Sequence, residues 1–154
     1  MMEWLAGLLA FIDMFLGEYK QAIDEKGQIS LPTQFTGALA AGLIVTRGFD
    51  RNLMVFTKQR WEDFAGQLLK RPLSSQQLRN LRRRLFSDAA TLSPDRKGRI
   101  YLPFSLRDFA NLNGEAVLTG MGDYIEVWNA EYWTVMREGF ESDGDVFQWE
   151  TAGV

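Results

Sequence analysis

The chain has 154 residues, of which 46% are hydrophobic and 24% are charged, a composition typical of one globular domain or of two interlocked halves. It contains no cysteine, which excludes disulfide bonds, thiolate metal sites and cysteine nucleophiles. It also contains no histidine, so it lacks the commonest zinc ligand and the commonest general base. We therefore expect a protein that is not an enzyme and that has neither a cofactor nor a small-molecule substrate.

The formal charge of −3 is distributed unevenly along the chain. Residues 1–13 carry two acids and no base, and residues 137–154 carry five acids and one base. Residues 70–99 instead hold nine bases and two acids. A local excess of positive charge is typical of proteins that bind a polyanion. The chain is thus predicted to have a basic body between an N-terminal extension, residues 1–13, and an acidic tail, residues 137–154.

The apolar run at residues 4–12 lies in that extension. It is nine residues long, whereas a membrane-spanning helix needs about 20. It also has no basic residue before it and no small-residue cleavage site after it, unlike a secretory signal peptide. We therefore predict a soluble, cytoplasmic protein without a membrane partner, in which residues 1–13 are an extension or a misassigned start.

A nine-residue segment occurs twice in the chain. Residues 24–32 read DEKGQISLP, and residues 95–103 read DRKGRIYLP, 71 positions later. The repeat predicts two copies of a small unit related by a pseudo-twofold axis. We place the first unit at 14–64, the second at 87–136 and linking helices at 65–86. Each unit is near the size below which a hydrophobic core cannot hold a chain folded alone, so the two are expected to share one core.

Within the first unit, residues 24–27 predict a polar turn that leads into a half-buried strand at 29–31. Pro32 ends this strand and suits the first turn of a short amphipathic helix. Strands are predicted at 43–46 and 53–56, on either side of a segment rich in turn-forming residues. The second unit repeats this order.

Helices are predicted to follow the last strand of each unit. Thr57 is the expected N-cap in the first unit and Asn129 in the second. Trp61 and Trp133, at matched positions in these helices, are expected to pack in the core. A capping-box pair of serine and glutamine at 74 and 77 predicts the start of a further helix. Its arginines, at 79 and 82–84, form a solvated face, or contact a phosphate backbone or an acidic neighbouring subunit.

The two repeated turns are the strongest candidates for function. Aspartate capping and a glycine with positive φ explain one such turn without any ligand. Two copies, however, would present basic loops at a fixed separation, as DNA readers do at repeated half-sites. Lysine and arginine in these loops can bind phosphate, and arginine can also donate two hydrogen bonds to guanine. The candidate DNA-binding residues are Lys26, Gln28, Arg96, Lys97 and Arg99.

With these motifs in hand, the chain resembles the MraZ family of bacterial transcriptional regulators, which are built from two SpoVT-AbrB-type swapped-hairpin units. The resemblance covers residues 14 to about 140. It rests on MFLGEY at 14–19, on the two repeated turns with their Ile-x-Leu-Pro strands, and on Gly-x-Gly-Asp at 120–123. It implies an α+β, mainly β fold, in which the units form one pseudo-twofold barrel with helices after each unit.

The resemblance also implies a function. Members of this family are cytoplasmic, nucleoid-associated proteins that form rings and bind direct repeats upstream of the cell-division and cell-wall gene cluster, including their own gene, usually as repressors. The family's Asp-x-x-x-Arg motif maps onto Asp95 and Arg99, whereas the first unit has Gln28, and Thr36 stands where the second unit has Arg107. The first loop is therefore expected to bind double-stranded DNA more weakly, or through Lys26 alone.

Two other functions remain open. The chain could be a protein-interaction module similar to AbrB-type antitoxins, in which the basic helix or the acidic tail binds a partner protein. It could also be a carboxylate-dependent hydrolase that uses Asp95, but no nucleophile, phosphate-loop or metal-ligand motif accompanies that residue. Binding that survives high salt without DNA preference would favour the first of these.

Overall fold

The computed structural model describes residues 14–142, so the predicted extension and residues 143–154 of the predicted tail lie outside the described residues. The first unit consists, in chain order, of β1 (Glu18–Ile23), β2 (Gln28–Ser30), α1 (Thr33–Leu39), β3 (Leu43–Arg47), β4 (Leu53–Thr57) and α2 (Lys58–Leu69). The linking helix α3 (Gln76–Ser87) follows. The second unit consists of β5 (Ala90–Leu92), β6 (Arg99–Tyr101), α4 (Phe104–Phe109), β7 (Gly114–Gly120), β8 (Ile125–Asn129) and α5 (Ala130–Ser142).

The strands of the described residues form one antiparallel sheet in the order β5-β3-β4-β8-β7-β1-β2-β6, which curves into a nearly closed barrel. The first strand of each unit pairs with the third strand of the other, since β1 lies beside β7 and β5 lies beside β3. The two hairpins are thus exchanged between the units. This arrangement confirms the predicted mainly β fold with two interlocked units.

The pseudo-twofold axis can be located from the strand register. In the β2–β6 pair, Ile29 is opposite Ile100, its equivalent 71 residues later. In the β4–β8 pair, Met54 is opposite Glu126, its equivalent at an offset of 72. Equivalent residues can face each other only where the symmetry axis passes between them. The axis therefore runs through the middle of both strand pairs.

The barrel interior is one hydrophobic core to which both units contribute. The equivalent pairs Ile29 and Ile100, and Leu31 and Leu102, are all at most 4% exposed. Burying a side chain of this size stabilises the fold by about 1.5–3 kcal/mol. Because Ile29 is paired with Ile100 across the unit boundary and both units supply residues to the same cluster, neither unit has a complete core of its own.

The helices that end the two units have different surroundings. A second apolar cluster holds α2 and α3 on β4; its buried members are Met54, Phe56 and Leu85, with Trp61, Phe64 and Leu81 packed against them. In contrast, α5 contains no buried residue. Trp133 of α5 is half-buried against the Trp128 ring, 5.6 Å away between centroids. Trp61 is also half-buried, and it packs against the second apolar cluster with its ring 5.7 Å from that of Phe86 in α3. The predicted core packing is thus met only in part by each tryptophan, and within residues 14–142 no helix covers α5 as α3 covers α2.

The predicted helix caps have the expected hydrogen bonds. Thr57 Oγ1 accepts from the Arg60 amide at 3.1 Å, and Asn129 Oδ1 accepts from the Tyr132 amide at 3.0 Å. The N-cap of α3 is Ser75, one residue after the predicted one, and its Oγ accepts from the Leu78 amide at 3.3 Å. In the part of the chain that the structure describes, no helix combines the length and apolar character needed to cross a membrane.

Candidate nucleic-acid interface

Each repeated turn is closed by its aspartate. In the first unit, Asp24 Oδ1 accepts from the amides of Lys26 and Gln28, at 3.0 and 2.8 Å. Gly27 has a φ of +88°, a conformation that residues with a Cβ adopt only at a cost. The short turn leaves the Lys26 side chain exposed. The sequence signature of the turn therefore corresponds to a rigid hydrogen-bonded loop.

The second turn has the same backbone and a more basic surface. Asp95 Oδ1 accepts from the amides of Lys97 and Arg99, both at 2.9 Å, and Gly98 has a φ of +74°. The side chains of Arg96 and Lys97 are exposed. Three candidate DNA contacts are thus grouped on one rigid loop.

The pairing of β2 with β6 brings the two turns together. Leu31 donates its amide hydrogen to the Gly98 carbonyl at 2.8 Å, and Leu102 donates to the Gly27 carbonyl at 2.9 Å. Each turn is therefore tied to the strand that follows the other turn. This reciprocal contact fixes the separation of the turns, and it places the five candidate residues on neighbouring loops.

Arg99 is held in position by Asp95. The Arg99 Nε donates to Asp95 Oδ2 at 2.8 Å, which leaves the two Nη groups as further donors. The amide hydrogen bond from Arg99, supported by its guanidinium and by the Lys97 amide, holds the pKa of the Asp95 carboxyl below its usual value. Asp95 is therefore ionised at neutral pH. It orients the arginine through Nε and leaves hydrogens on the Nη groups available for a ligand.

Gln28 connects the two turns. With its amide oxygen towards Arg99, the orientation that satisfies its hydrogen bonds, this oxygen lies 2.7 Å from Arg99 Nε and 3.2 Å from Nη1. The amide nitrogen then lies 3.1 Å from Asp24 Oδ2, and the Tyr101 hydroxyl is 3.3 Å from the oxygen. The geometry gives Gln28 a role that the sequence did not indicate, because it orients the arginine of the other unit.

Arg107 lies beside the first turn, although the sequence identifies it only as the counterpart of Thr36. A Cβ built on Gly27 would lie 2.8 Å from Arg107 Cδ, so the arginine side chain fills the space above that glycine. The neighbouring Phe104 is 70% exposed. The sequence shows that the first unit has threonine where the second has arginine. Only the strand exchange shows which turn the arginine approaches.

The arginines of α3 mostly have partners within the protein. Arg79 donates to the Leu73 carbonyl at 2.6 Å, and Arg83 donates to Asn80 Oδ1 at 2.9 Å. Arg84 Cζ lies 5.8 Å from the centroid of the Phe109 ring. These contacts favour a structural role for this basic face over a primary DNA contact. Among residues 14–142, no group of three or more acidic side chains is placed to hold a metal ion.

Known proteins match the sequence of this chain. A family model described as "MraZ protein, putative antitoxin-like" matches residues 14–84 and again residues 85–144. The chain belongs to the MraZ family. The tandem match agrees with the duplicated fold, and it confirms the resemblance drawn from the repeated turns.

Curated relatives cover most of the chain. The transcriptional regulator MraZ of Herpetosiphon aurantiacus is 42% identical over 130 residues, which are 84% of this chain and 91% of the relative. That of Roseiflexus castenholzii is 42% identical over 134 residues, 87% of this chain and 94% of the relative. That of Thermomicrobium roseum is 36% identical over 131 residues, which are 85% of this chain and 92% of the relative. Because the family consists of transcriptional regulators, the expectation that this chain is not an enzyme is confirmed.

Proposed function

We propose that this chain is a sequence-specific DNA-binding transcriptional regulator that reads double-stranded DNA with its two paired turns. The observation that carries this proposal is the reciprocal contact between the turns, which holds Lys26, Arg96, Lys97 and Arg99 on adjacent rigid loops. Rigid loops lose little conformational entropy on binding, so more of the contact energy is available as affinity. The relatives' printed name, transcriptional regulator, supports the same function.

The side chains of the turns divide into two roles. Arg99, oriented by Asp95 and Gln28, is suited to donate two hydrogen bonds to guanine O6 and N7. The exposed side chains of Lys26, Arg96 and Lys97 are suited to contact phosphates. Phosphate contacts then supply most of the affinity, and Arg99 supplies the sequence preference.

One chain presents only a small contact surface, so we propose that several copies assemble into a homo-oligomeric ring. Support comes from α5, where Tyr132, Val135 and Phe140 are 40%, 69% and 50% exposed. An exposed apolar face of this kind is suited to contact a second copy. Copies in one ring would bind neighbouring sites at high effective concentration.

The wider role follows from the family resemblance. We propose that the protein acts in the cytoplasm on the nucleoid, represses transcription, and binds direct repeats upstream of the cell-division and cell-wall gene cluster, its own gene included. A repressor of its own gene would bind the upstream DNA of that gene in preference to other DNA.

Fluorescence anisotropy tests this function. Purified protein is titrated onto labelled duplex from upstream of its own gene and onto a shuffled duplex of equal length, at two salt concentrations. We expect binding to the native duplex to persist as salt rises while binding to the shuffled duplex is lost. Equal, salt-sensitive binding to both duplexes would contradict sequence-specific regulation.

A second candidate is an antitoxin-like protein-interaction module, and the exposed apolar face of α5 favours it. Such a module would bind a partner protein through hydrophobic contacts, which salt does not weaken. Absence of DNA binding in the same titration, together with a partner that is retained at high salt, would support this candidate over the first.

A further inference from the structure

The guanidinium of Arg107 in the second unit is fixed beside the turn of the first unit. A Cβ on Gly27 would lie 2.8 Å from both Cδ and Cζ of Arg107. The Arg107 Nε donates to the Leu102 carbonyl at 2.9 Å, and the Leu102 amide donates to the Gly27 carbonyl, also at 2.9 Å. One residue therefore connects the arginine and the turn through two hydrogen bonds.

The equivalent position beside the second turn is neutral. There Thr36 of the first unit approaches Gly98, and a Cβ on that glycine would lie 3.0 Å from the threonine methyl carbon. The second turn has its own Arg99 and an uncharged neighbour. The first turn has Gln28 and a charged neighbour, Arg107. The second turn thus has its own Arg99, whereas the arginine beside the first turn, Arg107, is supplied by the other unit's helix.

The first turn needs this charge if it is to lie near DNA. Its residues 24–28 include two acids and one base, whereas the equivalent residues 95–99 include one acid and three bases. A loop with a net negative charge is repelled by phosphate, since like charges raise the energy of approach. Arg107 brings the first turn to neutrality.

The remaining donors of Arg107 are available to a ligand. Among the described residues, its Nη1 and Nη2 groups have no hydrogen-bond acceptor in the protein. Its Cζ lies 5.5 Å from the centroid of the Phe104 ring, a distance at which the ring face attracts and orients a guanidinium. A planar group that is oriented in advance loses less entropy when it binds a phosphate.

We propose that Arg107 is the DNA-contacting arginine of the first turn, where it contacts a backbone phosphate and supplies from the second unit the charge that Gln28 does not. This inference rests on the proposed DNA-binding function. It replaces the expectation that the first turn binds through Lys26 alone.

Two substitutions separate charge from structure. In Arg107→Gln, an amide hydrogen can still be donated to the Leu102 carbonyl, but the charge is lost. In Arg107→Lys, the charge remains and the planar fork is lost. Anisotropy is recorded on the upstream duplex over a series of salt concentrations. We expect Arg107→Gln to bind more weakly, with a slope of log K against log salt smaller by about one per engaged copy, and Arg107→Lys to keep the parental slope.

A relocation experiment tests the same idea from the other side. The double variant Gln28→Arg with Arg107→Thr gives the first turn the arrangement of the second. It should bind DNA more tightly than the double variant Gln28→Ala with Arg107→Thr, because both lack the Gln28 amide oxygen that faces Arg99 and only the first returns a guanidinium to the loop. Thr36→Ala is the matched control and should leave the salt slope unchanged.

The outcomes distinguish this inference from the proposed function. If the parent does not prefer its upstream DNA, the proposed function fails. If the parent prefers that DNA and Arg99→Ala weakens binding, but Arg107→Gln keeps the parental slope, only the role of Arg107 is wrong. If Arg107→Lys binds as weakly as Arg107→Gln with the same reduced slope, the residue acts through packing and the inference is also overturned.

Discussion

The turn of the second unit and the turn of the first unit have the same backbone and different side-chain chemistry. Both are closed by an aspartate and a glycine with positive φ. The second turn holds Arg99 against Asp95 at 2.8 Å, whereas the first turn has Gln28, whose amide oxygen faces that arginine. The backbone of a duplicated unit is thus kept by its capping residues, while the exposed positions between them are free to differ.

A second contrast between the units lies in their last helices. The apolar stripe of α2 is covered by α3, with Leu85 only 1% exposed at the contact. Within the described residues α5 has no such cover, and its Val135 is 69% exposed. The pseudo-symmetry therefore holds where residues face the shared barrel core, and it ends where they face outward.

The largest expected effect is a loss of stability when a side chain of α3 that packs against α2 is truncated. Leu85→Ala leaves a cavity between α2, α3 and β4, and we expect it to lower the free energy of unfolding by about 2–5 kcal/mol. The matched change Leu73→Ala, at a side chain that is 58% exposed, should cost less than about 0.5 kcal/mol. Urea denaturation of both variants checks this, and equal costs would show that α3 does not stabilise the first unit.

The contrast between the turns predicts unequal losses of DNA binding. Arg99→Ala should weaken binding to the upstream duplex by about 1–3 kcal/mol per engaged base contact. Gln28→Ala should cost about 0.5–1.5 kcal/mol, because it removes only a hydrogen bond that orients Arg99. Anisotropy titrations of the two variants side by side measure the difference. A larger loss for Gln28→Ala would mean that the first turn, and not the second, reads the base.

Substitutions at the two turn glycines separate the effect of backbone strain from the effect of displacing Arg107. Gly27→Ala and Gly98→Ala should each destabilise the fold by about 1–2 kcal/mol, because alanine is strained at the positive φ of these residues. Only Gly27→Ala would also displace Arg107 and weaken DNA binding further. Thermal unfolding and anisotropy measured on both variants check this. Equal losses of DNA binding would contradict an asymmetric role for the arginine.

The smallest expected effect concerns the titration of Asp95. Its pKa is lowered mainly by the Arg99 amide hydrogen bond, so the folded carboxyl should titrate below the ordinary value of about 3.9. A lowered pKa stabilises the fold above the unfolded value, and this contribution is lost as pH falls through the folded pKa. Carboxyl-carbon NMR over an acid titration measures it. Arg99→Ala should restore only part of the shift, because its amide still donates; a midpoint at or above the ordinary value in the parent would contradict the turn geometry.

Much of the local structure could be predicted from the sequence. The aspartate–glycine turns, the proline after each short strand, and the caps at Thr57 and Asn129 depend on residues close together in the chain. The same local rules could not choose between the adjacent serines at 74 and 75, since either can cap a helix. Ser75 is the residue whose hydroxyl reaches the amide of Leu78.

The rest depended on contacts between distant segments. The repeat predicted a shared core, but it did not show which strand of one unit pairs with which strand of the other. That pairing decides that Arg107 approaches Gly27 and that Gln28 faces Arg99. Equal periodicity likewise could not show that the ring of Trp61 packs against Phe86 of α3, whereas within residues 14–142 no further helix packs against Trp133.

The central claim is that two unequal turns form one DNA-binding surface, and a structure of the protein bound to its upstream duplex tests it most directly. The measurement is the distance from the guanidinium nitrogens of Arg99 and Arg107 to the nearest DNA atoms. We predict hydrogen-bonding distances of about 2.7–3.2 Å, from Arg99 to a base edge and from Arg107 to a phosphate oxygen. A complex in which both turns face solvent and the DNA lies against another surface would contradict the account.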